Sequence, residues 1–170
     1  MISGNILCIL GNDRHKFDRI VILAENIAMS TNKHLILQAG QNQYNLKTGE
    51  QFDFLEKTPF SELISKADIV ISHCGSGSLR RIIMSQKKSI ILPRLKFFGE
   101  HIDDHQIQIA KVCADNKNCY LPKDFSEEMI NAEKCIHALE SYPYFFGTDS
   151  EVDLSDEIAY FVSDWVKNAN

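Results

Sequence analysis

The chain has 170 residues, the size of one ordinary domain, with 44% hydrophobic and 24% charged residues. This composition is that of a globular protein and excludes fibrous and disordered classes. The formal net charge of -5 argues against a general nucleic-acid binder, because such a protein needs a basic surface to neutralise phosphates.

Cysteine usage and hydropathy restrict the cellular compartment. The five cysteines are scattered without a C-x-x-C pair, which excludes a zinc ribbon and a redox motif and predicts reduced, packed thiols. No apolar run approaches the roughly 20 residues that span a bilayer, and the first residues lack the basic start of a signal peptide. The sequence therefore predicts a cytoplasmic protein.

The first half of the chain alternates short apolar runs with stretches of helical spacing. The apolar runs predict buried parallel strands, and apolar residues three and four positions apart predict helices. Pro59 suits the first turn of a helix. The predicted elements are strands at 5–10, 34–39 and 52–55 and helices at 20–28 and 59–67.

The second half continues the alternation. Its predicted elements are strands at 68–72, 89–93 and 119–121, helices at 78–85 and through 109–113, and a final helix through 158–166. A further helix is predicted to begin at a cap formed by Ser126. Its apolar face holds Met129, Ala132, Ile136 and Leu139. Alternating strands and helices predict one α/β domain over residues 1–170, Rossmann-like and doubly wound, with a mainly parallel sheet. Its core covers about residues 5–122, and its C-terminal helices cover about residues 126–168.

A glycine-bearing turn follows the strand at 68–72. Residues 67–78 read ADIVISHCGSGS, and glycines on either side of a serine let backbone N–H groups approach a phosphate at a helix N-terminus. The turn matches neither a G-x-G-x-x-G fingerprint nor a P-loop. From the pattern alone, a tight turn without a ligand is an equal alternative.

A long polar segment follows the next strand, at the same predicted edge of the sheet. Residues 93–106 read PRLKFFGEHIDDHQ, and a loop of this length is typically functional. His101 and His105 are four residues apart, but no third ligand with suitable spacing accompanies them, so no metal is expected. The two interpretations are a solvated loop and a contact to a nucleotide sugar.

Together with Ile9–Asn12 and the Phe17-Asp18-Arg19 segment, these two motifs resemble the C-terminal, donor-binding half of glycosyltransferase family 28. The resemblance covers about residues 5–122. It is closest to stand-alone single-domain versions in bacterial capsule and exopolysaccharide synthesis, and it extends to the cytosolic catalytic subunit of the eukaryotic dolichol-linked N-acetylglucosaminyltransferase.

The resemblance implies an inverting UDP-sugar-dependent transferase of the two-domain GT-B type, split over two chains, in which this chain holds the UDP-sugar. A membrane-associated partner would hold the lipid-diphosphate acceptor and keep this chain at the inner face of the membrane. No cofactor and no metal are implied. The implied site residues are Gly11 and Asn12 near the diphosphate, His73, Gly75, Ser76, Gly77 and Ser78 in the phosphate-facing turn, and Asp104, His105 and Gln106 at the donor sugar and neighbouring phosphate.

The sequence departs from the family pattern at two positions. Eight residues after His73 the family places a glutamate that binds the ribose hydroxyls, whereas this chain has Arg81 beside Arg80, and a guanidinium cannot accept a hydroxyl proton. Asn12 replaces the commoner threonine. Arg81 either contributes to the nucleotide site or lies, like Arg80, on a solvated helix face.

Other functions remain open. The alternative to a catalytic subunit is a non-catalytic enhancer that stabilises a partner transferase, which Arg81 favours. A UDP-sugar epimerase-like enzyme is disfavoured because it needs both halves of the cleft in one longer chain.

The general base is unassigned and could come from the partner. His15 and His101 are candidates by residue type only. The aromatic residues at 142–146 predict a partner surface, unless they fold back under the last helix.

Overall fold

The computed structural model describes residues 4–54, 56–115 and 118–141. They form a sheet with helices on both faces. The strands are β1 (Asn5–Ile9), β2 (His34–Gln38), β3 (Glu50–Phe52), β4 (Ile69–His73), β5 (Ser89–Leu92) and β6 (Cys119–Tyr120). The helices are α1 (Asp18–Thr31), α2 (Lys57–Lys66), α3 (Ser76–Met84), α4 (His105–Ala114) and α5 (Ala132–Ser141), with a 3₁₀ turn at Lys96–Phe98.

The six strands lie in the order β3-β2-β1-β4-β5-β6, and every neighbouring pair is parallel. This order confirms the predicted doubly wound α/β fold. The direction of strand progression reverses between β1 and β4, and such a reversal opens a crevice at the carboxyl ends of the two strands. The loops after β1 and β4 therefore flank one another.

The apolar runs form strands because both faces of the sheet are covered. In β1, Ile6 and Cys8 face a core built with α1 and α5, while Leu7 and Ile9 face a second core built with α2, α3 and α4. All five cysteines are free and buried, and burial raises the pKa of every one of the five thiols. The prediction of packed, unpaired thiols is confirmed.

β3 ends earlier than the sequence predicted. Its pairing with β2 stops at Gln38 opposite Phe52, and the chain beyond β2 turns at Gly40, whose φ is +63°. The backbone contact between the two segments continues past the strands, because the Gly40 N–H donates to the Asp53 carbonyl at 3.1 Å. The predicted bounds of 52–55 are wrong, because the strand covers Glu50–Phe52 and Phe54 is half-exposed.

The last described helix begins later than predicted. Asn131 caps it, because its Oδ1 accepts from the Lys134 N–H at 2.9 Å. The carbonyls of Phe125 and Glu127 accept from the guanidinium of Arg19 at 2.7 and 3.0 Å, which holds this segment outside a helix. The predicted cap at Ser126 is wrong.

The C-terminal predictions concern the final helix and the aromatic residues at 142–146. Both lie outside the described residues. Within the described part of the chain, no helix has both the length and the apolar character needed to cross a membrane.

Candidate nucleotide-binding cleft

A cleft of about 430 Å³ opens where the strand order reverses. It lies at the carboxyl ends of β1 and β4 and at the start of α3, as the sheet topology requires. It is lined by Gly11, Asn12, Gln38, Phe54, Phe60, His73, Gly75, Ser76, Gly77, Ser78 and Arg81. Eight of the site residues predicted from sequence are among these lining residues.

The N-terminus of α3 presents backbone donors to this cleft. Gly75 is the N-cap residue, and its carbonyl accepts from the N–H groups of Ser78 and Leu79 at 3.1 and 3.0 Å. No side chain caps this helix within the described part of the protein. The first N–H groups of a helix have no partner in the helix itself and carry its positive dipole end, so the arrangement suits an anion.

His73 is a buried, uncharged side chain that lines the cleft. Its Nδ1 lies 3.2 Å from the Ile9 carbonyl oxygen, and a carbonyl can only accept, so Nδ1 carries the proton. Burial, with the nearby positive charge of Arg94, lowers the pKa of His73 to about 4. The imidazole is therefore uncharged near neutral pH and Nε2 is unprotonated.

The two glycines beside His73 are required by its position. A Cβ on Gly11 would lie 2.5 Å from Nε2 of His73, and a Cβ on Gly75 would lie 2.1 Å from the same atom. Gly11 also has a φ of +73°, which disfavours other residues. The glycines therefore let the imidazole fill the space between the two loops.

We expect His73 to make folding stability depend on pH. A pKa of about 4 in the folded chain, against an ordinary 6.5, means that the unfolded chain binds more protons between these values. Stability should therefore fall as pH decreases from about 6.5 and level off near pH 4. His73 should make the free energy of unfolding about 2 kcal/mol lower at pH 5 than at pH 7. Urea denaturation of His73→Asn at the two pH values should show a loss of stability that is smaller than that of the unmodified chain by this amount. An equal loss in the two proteins would contradict the assignment.

The loop after β1 is held by a side chain that sequence reasoning missed. Gln38 accepts from the Gly11 N–H at 2.9 Å through Oε1, and its Nε2 donates to the Gly11 and Asp53 carbonyls at 3.2 and 2.9 Å. The available signal was a polar residue at the carboxyl end of an otherwise apolar strand. Gln38 thereby fixes the conformation of Gly11 at the edge of the cleft.

Arg94 joins the loop after β1 to the loop after β5. It is fully buried, and its guanidinium donates to the carbonyls of Leu10, His15 and Glu100 at 2.9, 2.9 and 3.1 Å. Its guanidinium carbon lies 4.8 Å from the centroid of the Phe17 ring. Among the described residues, its Nε is the one buried side-chain polar atom without a hydrogen-bond partner. The two loops are thus fixed relative to each other.

The 104–106 segment lies at the same sheet edge, beside the cleft lining. Gln106 is buried, and its Oε1 accepts from the Arg94 N–H at 3.1 Å. Asp104 Oδ1 accepts from the Lys96 N–H at 2.8 Å. His105 Nδ1 contacts the carboxylate of Asp103. None of the three lines the cleft as it stands, and their contact with a donor sugar stays a prediction.

A cluster of histidines and carboxylates surrounds this segment. The potential ligand atoms of His101, Asp103 and His105 lie within 4.8 Å of one another. Asp103 is the third group that the spacing argument lacked, although each of the two imidazoles already contacts its carboxylate. The expectation that the site works without a metal stays a prediction.

The two adjacent arginines of α3 differ in environment. Arg80 is exposed, whereas Arg81 is half-buried and lines the cleft, with its guanidinium carbon 5.3 Å from the centroid of the Phe60 ring. The solvated interpretation therefore fits Arg80 and not Arg81. Phe60, on the predicted helix at 59–67, and Phe54 give the cleft an aromatic wall that the sequence did not indicate.

Comparisons with known proteins agree with this geometry. The family model of the glycosyltransferase family 28 C-terminal domain matches residues 8–137. Two curated relatives are UDP-N-acetylglucosamine--N-acetylmuramyl-(pentapeptide) pyrophosphoryl-undecaprenol N-acetylglucosamine transferases from Prochlorococcus marinus. The strain MIT 9301 protein is 27% identical over 120 residues, 67% of this chain and 32% of its own length. The strain MIT 9312 protein is 25% identical over 121 residues, with 66% and 32% covered. The chain thus spans about a third of these relatives.

Solved structures share the fold. The glycotransferase of kitacinnamycin superposes with a TM-score of 0.58 at 12% identity, over 95% of this chain and 38% of that one. UDP-glucose: anthocyanidin 3-O-glucosyltransferase, solved in complex with UDP, superposes with a TM-score of 0.56 at 15% identity, over 97% and 37%. At these identities the likeness establishes the fold alone, that of one half of a GT-B glycosyltransferase.

Proposed function

Because the chain belongs to the glycosyltransferase family 28 C-terminal domain family, we propose that it is the donor-binding half of an inverting glycosyltransferase that uses a UDP-sugar. One observation carries the proposal: the cleft combines the first backbone N–H groups of α3, which no described side chain caps, with two glycine-bearing loops and the charged side chain of Arg81. This combination suits a nucleoside diphosphate.

The cleft residues divide the work of holding UDP. The N–H groups of Ser76 and Gly77 donate to the diphosphate, and the dipole of α3 stabilises the charge that develops on departing UDP. Gly11 and Asn12 cover the diphosphate from the loop after β1. Arg81 and the aromatic wall lie where they can contact the nucleoside. These contacts need no metal and no cofactor.

The acceptor and the partner extend the proposal beyond the donor site. The curated relatives are named for transfer to a pyrophosphoryl-undecaprenol acceptor, and we propose a lipid-diphosphate acceptor for this chain as well. A separate membrane-associated subunit, as the resemblance to split family 28 transferases implies, binds this acceptor and completes the cleft. The complex works at the cytoplasmic face of the membrane in the synthesis of an exopolysaccharide or capsule.

A second candidate is a non-catalytic enhancer subunit. The observation that favours it is Arg81, which stands in the cleft where the family places a ribose-binding glutamate. In that case the chain stabilises its partner transferase without turning over UDP-sugar.

Co-expression with the neighbouring gene separates the two candidates. Membranes that contain both chains are assayed for UDP release from UDP-glucose, UDP-galactose and UDP-N-acetylglucosamine, with membranes lacking either chain as controls. The proposal expects release only when both chains are present. Efficient transfer to a lipid acceptor by the purified chain alone would contradict the split. UDP release that persists when this chain carries a substitution that abolishes its own UDP binding would support the enhancer role.

We expect Arg81→Glu to change UDP affinity. A charged hydrogen bond contributes about 1.5–3 kcal/mol, which corresponds to roughly one to two orders of magnitude in Kd. If Arg81 only lacks the ribose contact, the glutamate should tighten UDP binding in calorimetry. If Arg81 holds a phosphate, the substitution should weaken binding, and raised salt should weaken binding by the unmodified chain.

Arg80→Glu is the matched control, because it makes the same charge change on the exposed side of the same helix. It should leave UDP affinity close to that of the unmodified chain. Equal affinities for all three proteins would show that Arg81 does not contact the nucleotide.

A further inference from the structure

His15 and Asp13 form a hydrogen-bonded pair on the loop after β1. They follow Gly11 and Asn12 in sequence, which line the cleft, although neither Asp13 nor His15 lines it as it stands. Nδ1 of His15 lies 2.6 Å from Oδ1 of Asp13, and the His15 N–H donates to the same oxygen at 2.7 Å. An imidazole held by a carboxylate at one nitrogen is the usual arrangement of a catalytic base and its orienting group.

The carboxylate determines which nitrogen of His15 is protonated. Partial burial raises the pKa of Asp13, but the backbone and side-chain hydrogen bonds from His15 outweigh it, so the pKa lies below its ordinary value. An ionised carboxylate only accepts, and Nδ1 therefore carries the proton. Nε2 of His15 has no partner among the described residues and keeps an available lone pair, and the side chain is 29% exposed.

His101, the other candidate base, has no available nitrogen. Its Nε2 lies 3.4 Å from Oδ2 of Asp13. Its Nδ1 accepts from the Asp103 N–H at 3.3 Å. The geometry thus separates two histidines that the sequence could not rank.

The loop that carries the pair is held at its backbone. Asn42 Nδ2 donates to the carbonyls of Asp13 and His15 at 3.1 and 3.4 Å, and the guanidinium of Arg94 donates to the His15 carbonyl at 2.9 Å. A base positioned before the substrate arrives avoids the entropic cost of ordering it during the reaction.

We propose that His15 is the general base of sugar transfer and that Asp13 is its positioning residue. The proposal rests on the function proposed above. Nε2 of His15 takes the proton of the acceptor hydroxyl while the hydroxyl oxygen bonds to C1 of the donor sugar. The bond between C1 and the β-phosphate oxygen breaks, and its electron pair leaves with UDP. The imidazolium then releases the proton to water.

The charged groups around His15 are few. Asp13 binds its ring, His101 lies with its ring centroid 6.5 Å away, and Arg94 holds its carbonyl. Arg14 and Lys16 flank it in sequence and are exposed. Among the described residues, Asp13 is therefore the one carboxylate that contacts the imidazole of His15.

The test compares His15→Gln and Asp13→Asn with His34→Gln. His34 is a matched control, because it also faces a carboxylate, with Nε2 3.3 Å from Glu50 Oε1, but begins β2 at the amino end of the strands. UDP affinity is measured by calorimetry on the purified chains. Transfer is measured as UDP release from the three UDP-sugars with partner-containing membranes.

We expect His15→Gln to bind UDP within twofold of the unmodified chain and to lower the transfer rate by about 10²–10⁴-fold. Asp13→Asn should lower the rate at least tenfold, and His34→Gln should match the unmodified chain. Intact UDP binding with an unchanged rate in His15→Gln overturns this assignment alone. Failure of the unmodified chain to bind UDP, or binding without transfer, overturns the proposed donor-half function and this assignment with it.

Discussion

Glu100→Ala is expected to lower the free energy of unfolding by about 3–5 kcal/mol, because it leaves a buried arginine without its counter-ion. Nε and Nη2 of Arg19 each lie 2.7 Å from one carboxylate oxygen of Glu100, and the two side chains are 5% and 4% exposed. Oε2 of Glu100 also accepts from the Leu95 N–H at 2.9 Å. Urea denaturation at pH 7 measures the loss.

Glu62→Ala is the control for this prediction. Its carboxylate lies 3.8 Å from Nζ of Lys66 on α2, and the two side chains are 62% and 69% exposed. Exposed pairs of this kind contribute about 0.3–0.5 kcal/mol, so the variant should be nearly as stable as the unmodified chain. Equal losses in the two variants would mean that the Arg19–Glu100 pair does not hold the loop after β5 to α1.

Gly75→Ala is expected to lower the free energy of unfolding by about 1–3 kcal/mol, as overpacking of a buried site does, and to weaken UDP binding at least tenfold. The φ of Gly75 is -83°, which alanine adopts freely, so the steric effect is isolated. The new Cβ would lie 2.1 Å from Nε2 of His73, and His73 or the turn must move. Denaturation and UDP calorimetry measure the two effects.

Gly77→Ala separates this contact from a general effect of losing a glycine. No heavy atom lies within 4 Å of a Cβ built on Gly77, and the residue is in the first turn of α3. Alanine there should leave the free energy of unfolding unchanged or raise it by about 0.5–1 kcal/mol. If Gly77→Ala destabilises the chain as strongly as Gly75→Ala, the imidazole is not what requires the glycine.

Local patterns were sufficient for the fold. The strands β1, β4 and β5 are apolar runs bounded by turn residues, and their alternation with helices fixes a parallel sheet. The start of α5 could not be predicted, because Ser126 followed by two glutamates is a good cap in isolation. What overrides it is Arg19, which lies 106 residues before Phe125 and takes its carbonyl. Propensity carries no information about such distant partners.

The sequence was sufficient to predict those cleft residues that lie in the turns at the ends of strands. Gly11, His73 and Gly75 lie at or just after the carboxyl ends of β1 and β4. These ends must meet at the switch point, so the convergence of the three residues follows from topology. Gln38 and Phe60 look like ordinary strand and helix residues, and only the three-dimensional arrangement brings them to the cleft. The choice between His15 and His101 likewise depends on three-dimensional contacts, because Asp103 occupies the second ring nitrogen of His101 and no described residue occupies that of His15.

The most direct measurement of the central claim is an NMR titration of the isotope-labelled chain with UDP. Donor binding at the cleft predicts saturable shifts of the backbone N–H signals of Gly11 and of Gly75, Ser76 and Gly77, at the N-terminus of α3. A separate cavity of about 690 Å³, lined in part by Glu25 and Tyr44, provides an internal comparison and should not respond. Shifts confined to that cavity, or no shifts at UDP concentrations that saturate other UDP-sugar enzymes, would contradict the account.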